Sequence, residues 1–436
     1  MGRSKQSTYR AVAIPYGHET RTLRIPAENL DWVKGPKYVP PIPEVPTAVR
    51  EAIRSPIKTS PLPEMVSRHG KKTVILVDDG TRSTPQNLIL PVLLDELNGA
   101  GVKDDDISVL IARGTHRPMT EAECRERYGE AVMARVKVEN LSQDLRDFVD
   151  LGVTPSCIPI QISRQYLEKE LRIAVGNIIP HMYAGWAGGA KLVQPGVSSP
   201  LTTSKTHVMA APYVYEYLGR EDNPVRREME EIAIKSGLQF IVNVVLNREG
   251  EVVAVVAGDV IGAHRAGVEI ARPIYTIPLK ERVDILIASS HPADRDLFQG
   301  FKAINNSGMM VRDGGTLILV IPAPEGIAPD HPEVVALGMT PGTQVLEMVE
   351  RGEVTNGVAA TAYMALDRTR SRAKIILVTE GISGEEASKI GLIATKDFDE
   401  ALRSAMDRQG EKVQIGVITH GADVLAQFEQ KPDEVP

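Results

Sequence analysis

Lys191 stands beside a diglycine, with His181 ten residues before it and His207 sixteen after it. The stretch reads Pro180-His181-Met182-Tyr183-Ala184-Gly185-Trp186-Ala187-Gly188-Gly189-Ala190-Lys191 and runs on to Pro195-Gly196. An amine and two imidazoles are nucleophiles, bases or metal ligands. Glycine lacks a Cβ, so Gly185, Gly188 and Gly189 would let a bulky cofactor lie against the main chain. A phosphate-binding P-loop is excluded, because Ala190 precedes the lysine and Leu192 follows it, where Gly and Ser/Thr are required. Lys191 therefore reads as a covalent anchor or a cation in a glycine-lined pocket. His181 and His207 are candidates for base and metal ligand.

Three further segments carry reactive side chains. Asp78-Asp79-Gly80-Thr81-Arg82 offers two carboxylates and a guanidinium that suit a metal, a phosphate at a helix N-terminus or a substrate carboxylate. An ordinary turn with an Asp cap and a surface arginine is an equal alternative. In Gly114-Thr115-His116-Arg117-Pro118-Met119-Thr120, His116 has the intrinsic pKa of a general acid/base, although a lone turn histidine is more often solvated. Thr120 with Glu123 reads as a capping box and is structural. Gln299 and Lys302 face the same way on a helix, one turn apart, and suit either a polar substrate or plain solvent. His18, His69, His264, His291, His331 and His420 read as structural or surface residues.

These residues need strands and helices to hold them. The first sixty residues are Pro-rich, with Pro36, Pro40, Pro41, Pro43 and Pro46 breaking any long element. From Lys72 an α/β rhythm begins: strands over 72–77, 107–111 and 171–175, helices over 85–97 and 120–128. A helix over 223–236, a strand pair over 240–246 and 252–256, and a helix from 262 follow. After a break with two prolines near 272–278, strands over 283–288, 316–321, 374–378 and 412–418 alternate with helices. The pattern predicts an α/β fold in two domains, 1–278 and 279–436, each with a mostly parallel sheet and flanking helices. Each reactive segment falls at or just after a strand's end, where such folds bind ligands, and the active site is expected in the interdomain cleft.

Composition narrows the class. At 436 residues, two domains are the natural expectation, and 42% hydrophobic with 25% charged residues is globular protein. The formal net charge of −7 with interspersed signs, and the lack of a basic stripe, argue against nucleic acid as a partner. No apolar run is long enough for a membrane span and the first residues are polar, so a cytoplasmic protein is expected. Cys124 and Cys157 are too few for a cysteine metal cage. Oligomeric state leaves no mark in the sequence.

Taken in order, Asp79–Arg82, Gly114–Thr120, Pro180-His181 with Gly188-Gly189-Ala190-Lys191, Pro195-Gly196, His207 and the Gln299/Lys302 pair resemble the nickel-pincer lactate racemase family. The resemblance implies an isomerase that racemises or epimerises a 2-hydroxy acid by hydride transfer. Its cofactor would be nickel held by a pyridinium-3-thioamide-5-thiocarboxylic acid mononucleotide. It further implies that Lys191 carries this cofactor covalently, that Asp79, Thr81, Gly188 and Gly189 contact it, and that His207 ligates nickel. His116 and His181 would alternate as acid and base, Arg82 would bind the substrate carboxylate, and Gln299 and Lys302 would orient substrate and cofactor. Separate maturation proteins would load the cofactor.

Two positions depart from the family pattern. Phe298 stands where tyrosine is expected, and Trp186-Ala187 replaces a smaller or differently shaped pair. Both leave the catalytic set intact and leave open which 2-hydroxy acid is used, since a pocket distinguishes one methylene by only about 1–3 kcal/mol. A nickel- or cofactor-binding protein without racemase activity would not need both His116 and His181. A NAD-type oxidoreductase would show G-x-G-x-x-G after an early strand, and none is present.

Overall fold

The computed structural model describes residues 8–410 and 412–429. Within them, Lys37–Ile274 forms one compact unit, and residues 8–36 with 275–429 form the other.

In the Lys37–Ile274 unit, the segment Thr73–Val77 is Thr-Val-Ile-Leu-Val and is buried throughout. β-branched residues with no polar alternation mark a strand covered on both faces. It lies inside a six-stranded sheet ordered Val252–Gly258, Phe240–Leu246, Leu171–Asn177, Thr73–Val77, Ile107–Ile111, Lys137–Asn140. All neighbours are parallel except the first pair, joined by a tight antiparallel turn. The helices Val45–Arg54, Leu62–His69 and Gln86–Gly99 cover one face, where Ile75, Val77, Leu93, Val109 and Ile173 meet in a common core. From the central strand the chain first builds outward to Lys137–Asn140, then returns to Leu171–Asn177 on the other side. The reversal falls beside Thr73–Val77, and at such a point the connections after neighbouring strands leave in opposite directions and open a crevice.

The second unit has a six-stranded parallel sheet ordered Ile393–Thr395, Lys374–Val378, Val311–Val320, Val283–Ser289, Ile415–Ile418, Leu30–Lys34. A hairpin of Tyr9–Tyr16 and Glu19–Pro26 adds Val12, Ile14, Leu23 and Ile25 to the core of this sheet. Two expectations need correction here. The boundary near residue 278 treats 1–278 as one piece, yet residues 8–36 belong with the C-terminal unit, because Leu30–Lys34 pairs with Ile415–Ile418. The first sixty residues are also not uniformly broken. Their prolines cluster from Pro36 to Pro46, and before them the alternation in Tyr9–Tyr16 builds a half-buried strand. Among the described residues, no helix is long and apolar enough to cross a membrane.

Candidate active site

The turn after Thr73–Val77 holds the two adjacent carboxylates in different roles. Asp78 is 9% exposed at its side chain and pairs with Arg127. It also accepts from Thr84 Oγ1 and, at 3.1 Å, from Gln86 Nε2. The Tyr128 hydroxyl donates to its carbonyl at 3.0 Å. With its acceptors engaged by protein donors, Asp78 fixes the turn. Asp79 is buried and faces His116, with its Oδ2 2.6 Å from Nδ1. Its other oxygen accepts from the Thr81 amide at 3.0 Å and the Thr81 hydroxyl at 2.5 Å. Burial alone would push the Asp79 carboxyl up, but His116, Arg82 and Thr81 together hold it well below the usual carboxylate range. Arg82 folds its Nη1 back onto the Thr81 carbonyl at 3.0 Å and the Thr81 hydroxyl at 2.8 Å.

His116 follows Ile107–Ile111 in a turn that docks on the segment after Lys191, where the Gly114 amide donates to the Gly196 carbonyl at 3.0 Å. An ionised carboxylate can only accept, so His116 donates from Nδ1 and its neutral form carries the lone pair on Nε2. Beyond it the capping box is formed as expected: Thr120 accepts from the Glu123 amide, and Glu123 accepts from the Thr120 amide at 2.7 Å. Arg117 closes over this cap with two bonds to Glu123, of 3.0 and 2.7 Å.

His181 lies at the end of the next strand, in the two-residue pairing of Pro180–His181 with Gly185–Trp186. Its Nδ1 accepts from the Tyr183 and Ala184 amides at 3.2 and 3.3 Å, which places the proton of neutral His181 on Nε2. The Tyr183 ring stands edge-on between two imidazoles, its centroid 5.6 Å from that of His181 and 5.1 Å from that of His207. His207 is on the helix Pro200–Ala210, capped by Ser199, and its Nδ1 is 2.8 Å from the Thr203 carbonyl. A carbonyl only accepts, so Nδ1 carries the proton and the lone pair is on Nε2. Lys191 is half-buried in the single turn Gly189–Leu192, its amide bonded to the Gly188 carbonyl at 3.2 Å.

The glycines before Lys191 take the positive φ that their lack of a Cβ permits. Gly188 and Gly189 have φ of +79° and +57°, where a side chain is strained. A Cβ on Gly188 would lie 2.9 Å from the Asn177 carbonyl oxygen, and one on Gly189 would lie 3.1 Å from the His264 ring. On their Cβ side they pack against protein.

In the C-terminal unit, Gln299 and Lys302 lie on the helix Leu297–Gly308, capped by Asp296. The predicted pairing is direct: Lys302 Nζ donates to Gln299 Oε1 at 2.6 Å. Phe298 tilts over the His331 ring with centroids 4.5 Å apart. Trp186, the other departure, is fully buried, its indole N–H donating to the Gly219 carbonyl at 2.9 Å.

Sequence reasoning passed over Tyr183, Asn243 and Arg226. Tyr183 sat in plain view two residues after His181. Asn243 takes the Gly189 amide at 2.9 Å, a contact across a long stretch of chain that no local spacing signals. His264 is structural, as read, and wholly buried.

Residues 16–214 match the lactate racemase N-terminal domain, and residues 279–426 match the lactate racemase C-terminal domain. The lactate racemase of Thermoanaerobacterium thermosaccharolyticum is 28% identical over 425 residues, covering 95% of this chain and 98% of that one. That of Lactiplantibacillus plantarum is 26% identical over 427 residues, covering 95% and 99%. The apoprotein structure of the Thermoanaerobacterium enzyme superposes with a TM-score of 0.84 at 27% identity, over 96% of this chain and all of that one. A Thermotoga maritima protein shares the fold at TM-score 0.70 and 19% identity, over 90% of this chain. With both domains matched in order along one chain, the protein belongs to the lactate racemase family of isomerases.

Proposed function

We propose that this enzyme interconverts the enantiomers or epimers of a small 2-hydroxy acid, lactate or a close relative, with His116 and His181 as its acid/base pair. One observation carries the reading. The two imidazoles are anchored through Nδ1 in opposite senses, His116 to the Asp79 carboxylate and His181 to two amide donors. Neutral His116 therefore offers a lone pair at Nε2, and neutral His181 offers a proton there. One residue starts as base and the other as acid, which a reaction running in both directions requires. His116 takes the substrate hydroxyl proton at Nε2 in one direction; to take it in the other, His181 must present a lone pair, which its ring does on turning away from the Tyr183 and Ala184 amides. Arg82 would bind the carboxylate, with Gln299 and Lys302 orienting substrate and cofactor.

The residues fit a nickel-pincer nucleotide. His207 carries its lone pair on Nε2, as a metal-ligating imidazole must. Gln194 Oε1 and Thr203 Oγ1, close in sequence to Lys191 and His207, are buried without a hydrogen-bond partner among protein groups. Such atoms call for a ligand or water. Among the described residues no cluster of three His, Cys, Asp or Glu side chains could hold a metal alone, so nickel on His207 would take its other ligands from the cofactor. Lys191 would tether that cofactor, with Asp79, Thr81, Gly188 and Gly189 alongside, after loading by maturation proteins. When bound, the group supplies a hydride acceptor and donor at the substrate carbon. We place this chemistry in the cytoplasm.

The test is chiral chromatography of single enantiomers of lactate and longer 2-hydroxy acids, without NAD, on protein co-expressed with maturation enzymes. Equilibration of the enantiomers, one nickel per chain and a mass increment on the Lys191 peptide are expected. A strict requirement for added NAD, or full activity in chain with unmodified Lys191, would overturn the reading.

A further inference from the structure

Arg226 lies on the helix Pro224–Lys235, and its side chain is completely buried. Among the described residues it makes no ion pair. Its guanidinium donates instead to main-chain carbonyls of the segment between His181 and Lys191: Ala184 at 3.1 Å, Gly188 at 3.4 Å, and Trp186. The intervening carbonyl, Ala187, is held by His264 Nε2 at 2.9 Å. The Gly189 amide is held by Asn243 Oδ1 at 2.9 Å, and the Ala187 amide by the Ile179 carbonyl at 2.8 Å. Burial lowers the Arg226 pKa to about 10, with the nearby Glu230 carboxylate opposing the shift. The group stays charged at neutral pH, and a buried charge is strongly disfavoured unless hydrogen bonds compensate it. Here the compensation comes from loop carbonyls, so the loop's path and the buried cation stabilise each other.

We infer that Arg226 is a positioning residue that sets the main-chain path joining His181 to Lys191. Both ends of the path depend on peptides Arg226 holds. The His181 ring is oriented by the Ala184 amide, one residue unit from the carbonyl that Arg226 takes, and the Lys191 amide bonds to the Gly188 carbonyl, which Arg226 also takes. Releasing the guanidinium would loosen the acid/base imidazole and the amine together. A displacement of about 1 Å at a reacting group can cost about a hundredfold in rate. A purely apolar helix would cover the same face without holding any carbonyl, and Val225, Met229, Ile232 and Ala233 on this helix already provide that cover.

The inference rests on the proposed roles of His181 and Lys191, but its first test does not. Hydrogen exchange on the full chain, without substrate or cofactor, reads the amides of Ala187, Gly189 and Lys191. In the wild type they should exchange within about tenfold of the strand Leu171–Asn177, and exchange at ordinary loop rates would overturn the inference. In Arg226→Lys and Arg226→Gln these three amides should exchange at least about tenfold faster, with Leu171–Asn177 unchanged. Uniformly faster exchange across the unit would make Arg226 an ordinary core residue and overturn the inference. In loaded enzyme, kcat should fall about tenfold or more in Arg226→Lys with KM within about twofold. A KM effect alone would also count against it. If the loop loosens selectively but the wild type equilibrates no 2-hydroxy acid, the clamp stands and the functional proposal falls.

Discussion

His116 and His181 have the same side chain and differ in what holds Nδ1. A carboxylate fixes one and peptide amides fix the other, so Asp79→Asn is the sharper test of the pair than removal of either ring. The amide of asparagine can present its N–H to Nδ1 and so reverse the preferred tautomer of His116. Racemisation should fall by about 10²–10⁴-fold with the fold retained, measured as initial rates from each enantiomer. Equal rates for variant and wild type would remove Asp79 from the mechanism. The histidines, the lysine and Arg82 stood out as candidates by residue type and order. The opposite anchoring of the two imidazoles was not, because it depends on which donor or acceptor the folded chain brings to each Nδ1. The same holds for Asp78 and Asp79, adjacent in sequence yet turned to different partners, Arg127 and His116.

At the level of elements, the turn from Gly114 to Thr120 joins the candidate base His116 to a helix cap. Thr120→Ala removes the cap of the helix Glu121–Tyr128 and should lower stability by about 1 kcal/mol while leaving kcat unchanged. Denaturant titration beside a rate assay checks this, and a matching loss of rate would bring Thr120 into the site. The cap also has a signature in acid. Arg117, together with the Thr120 amide and hydroxyl, lowers the Glu123 pKa from 4.5 to about 2, against a smaller effect of burial. A depressed carboxyl contributes stability in full above 4.5 and loses it as pH falls through about 2. Solvent at this half-exposed pair keeps the contribution small. The strands beginning at Thr73, Ile107, Leu171 and Lys374 were evident from their apolar runs. The hairpin Tyr9–Tyr16 and Glu19–Pro26 was hidden by the prolines after it, and its buried positions alternate with Ala13 and Pro15 in one strand and with Arg24 in the other.

Across the Lys37–Ile274 unit, a pH effect on stability just below neutrality should come from His264. Burial first, then the nearby Arg226 charge, hold its pKa well below the ordinary 6.5, against the bond to the Ala187 carbonyl. Nε2 donates to that carbonyl and Nδ1 accepts from Arg265 at 3.1 Å, so neither nitrogen has room for a second proton. Its stabilisation is complete above pH 6.5 and declines as pH falls below that value toward the folded pKa. The decline should approach about 1.4 kcal/mol per pH unit for one proton. Thermal melts between pH 7.5 and 5 should show this slope reduced in His264→Gln. An unchanged slope would mean that His264 takes up its proton in the folded state.

The strand Leu30–Lys34 is made before the Lys37–Ile274 unit, and its partner Ile415–Ile418 is made after it. During synthesis the Lys37–Ile274 unit has all its strands in hand early and can fold while the ribosome is still working. The strand Leu30–Lys34, with the hairpin before it, must wait for its sheet partner until Ile415–Ile418 emerges. A polypeptide starting at Tyr275 should therefore aggregate, since Ile415–Ile418 would present a bare apolar edge and the core would lack Val12, Ile14, Leu23 and Ile25. Supplying residues 8–36 as a separate peptide should restore solubility, making this unit a two-piece complementation system whose smaller piece lies on the far side of another folded unit in the sequence.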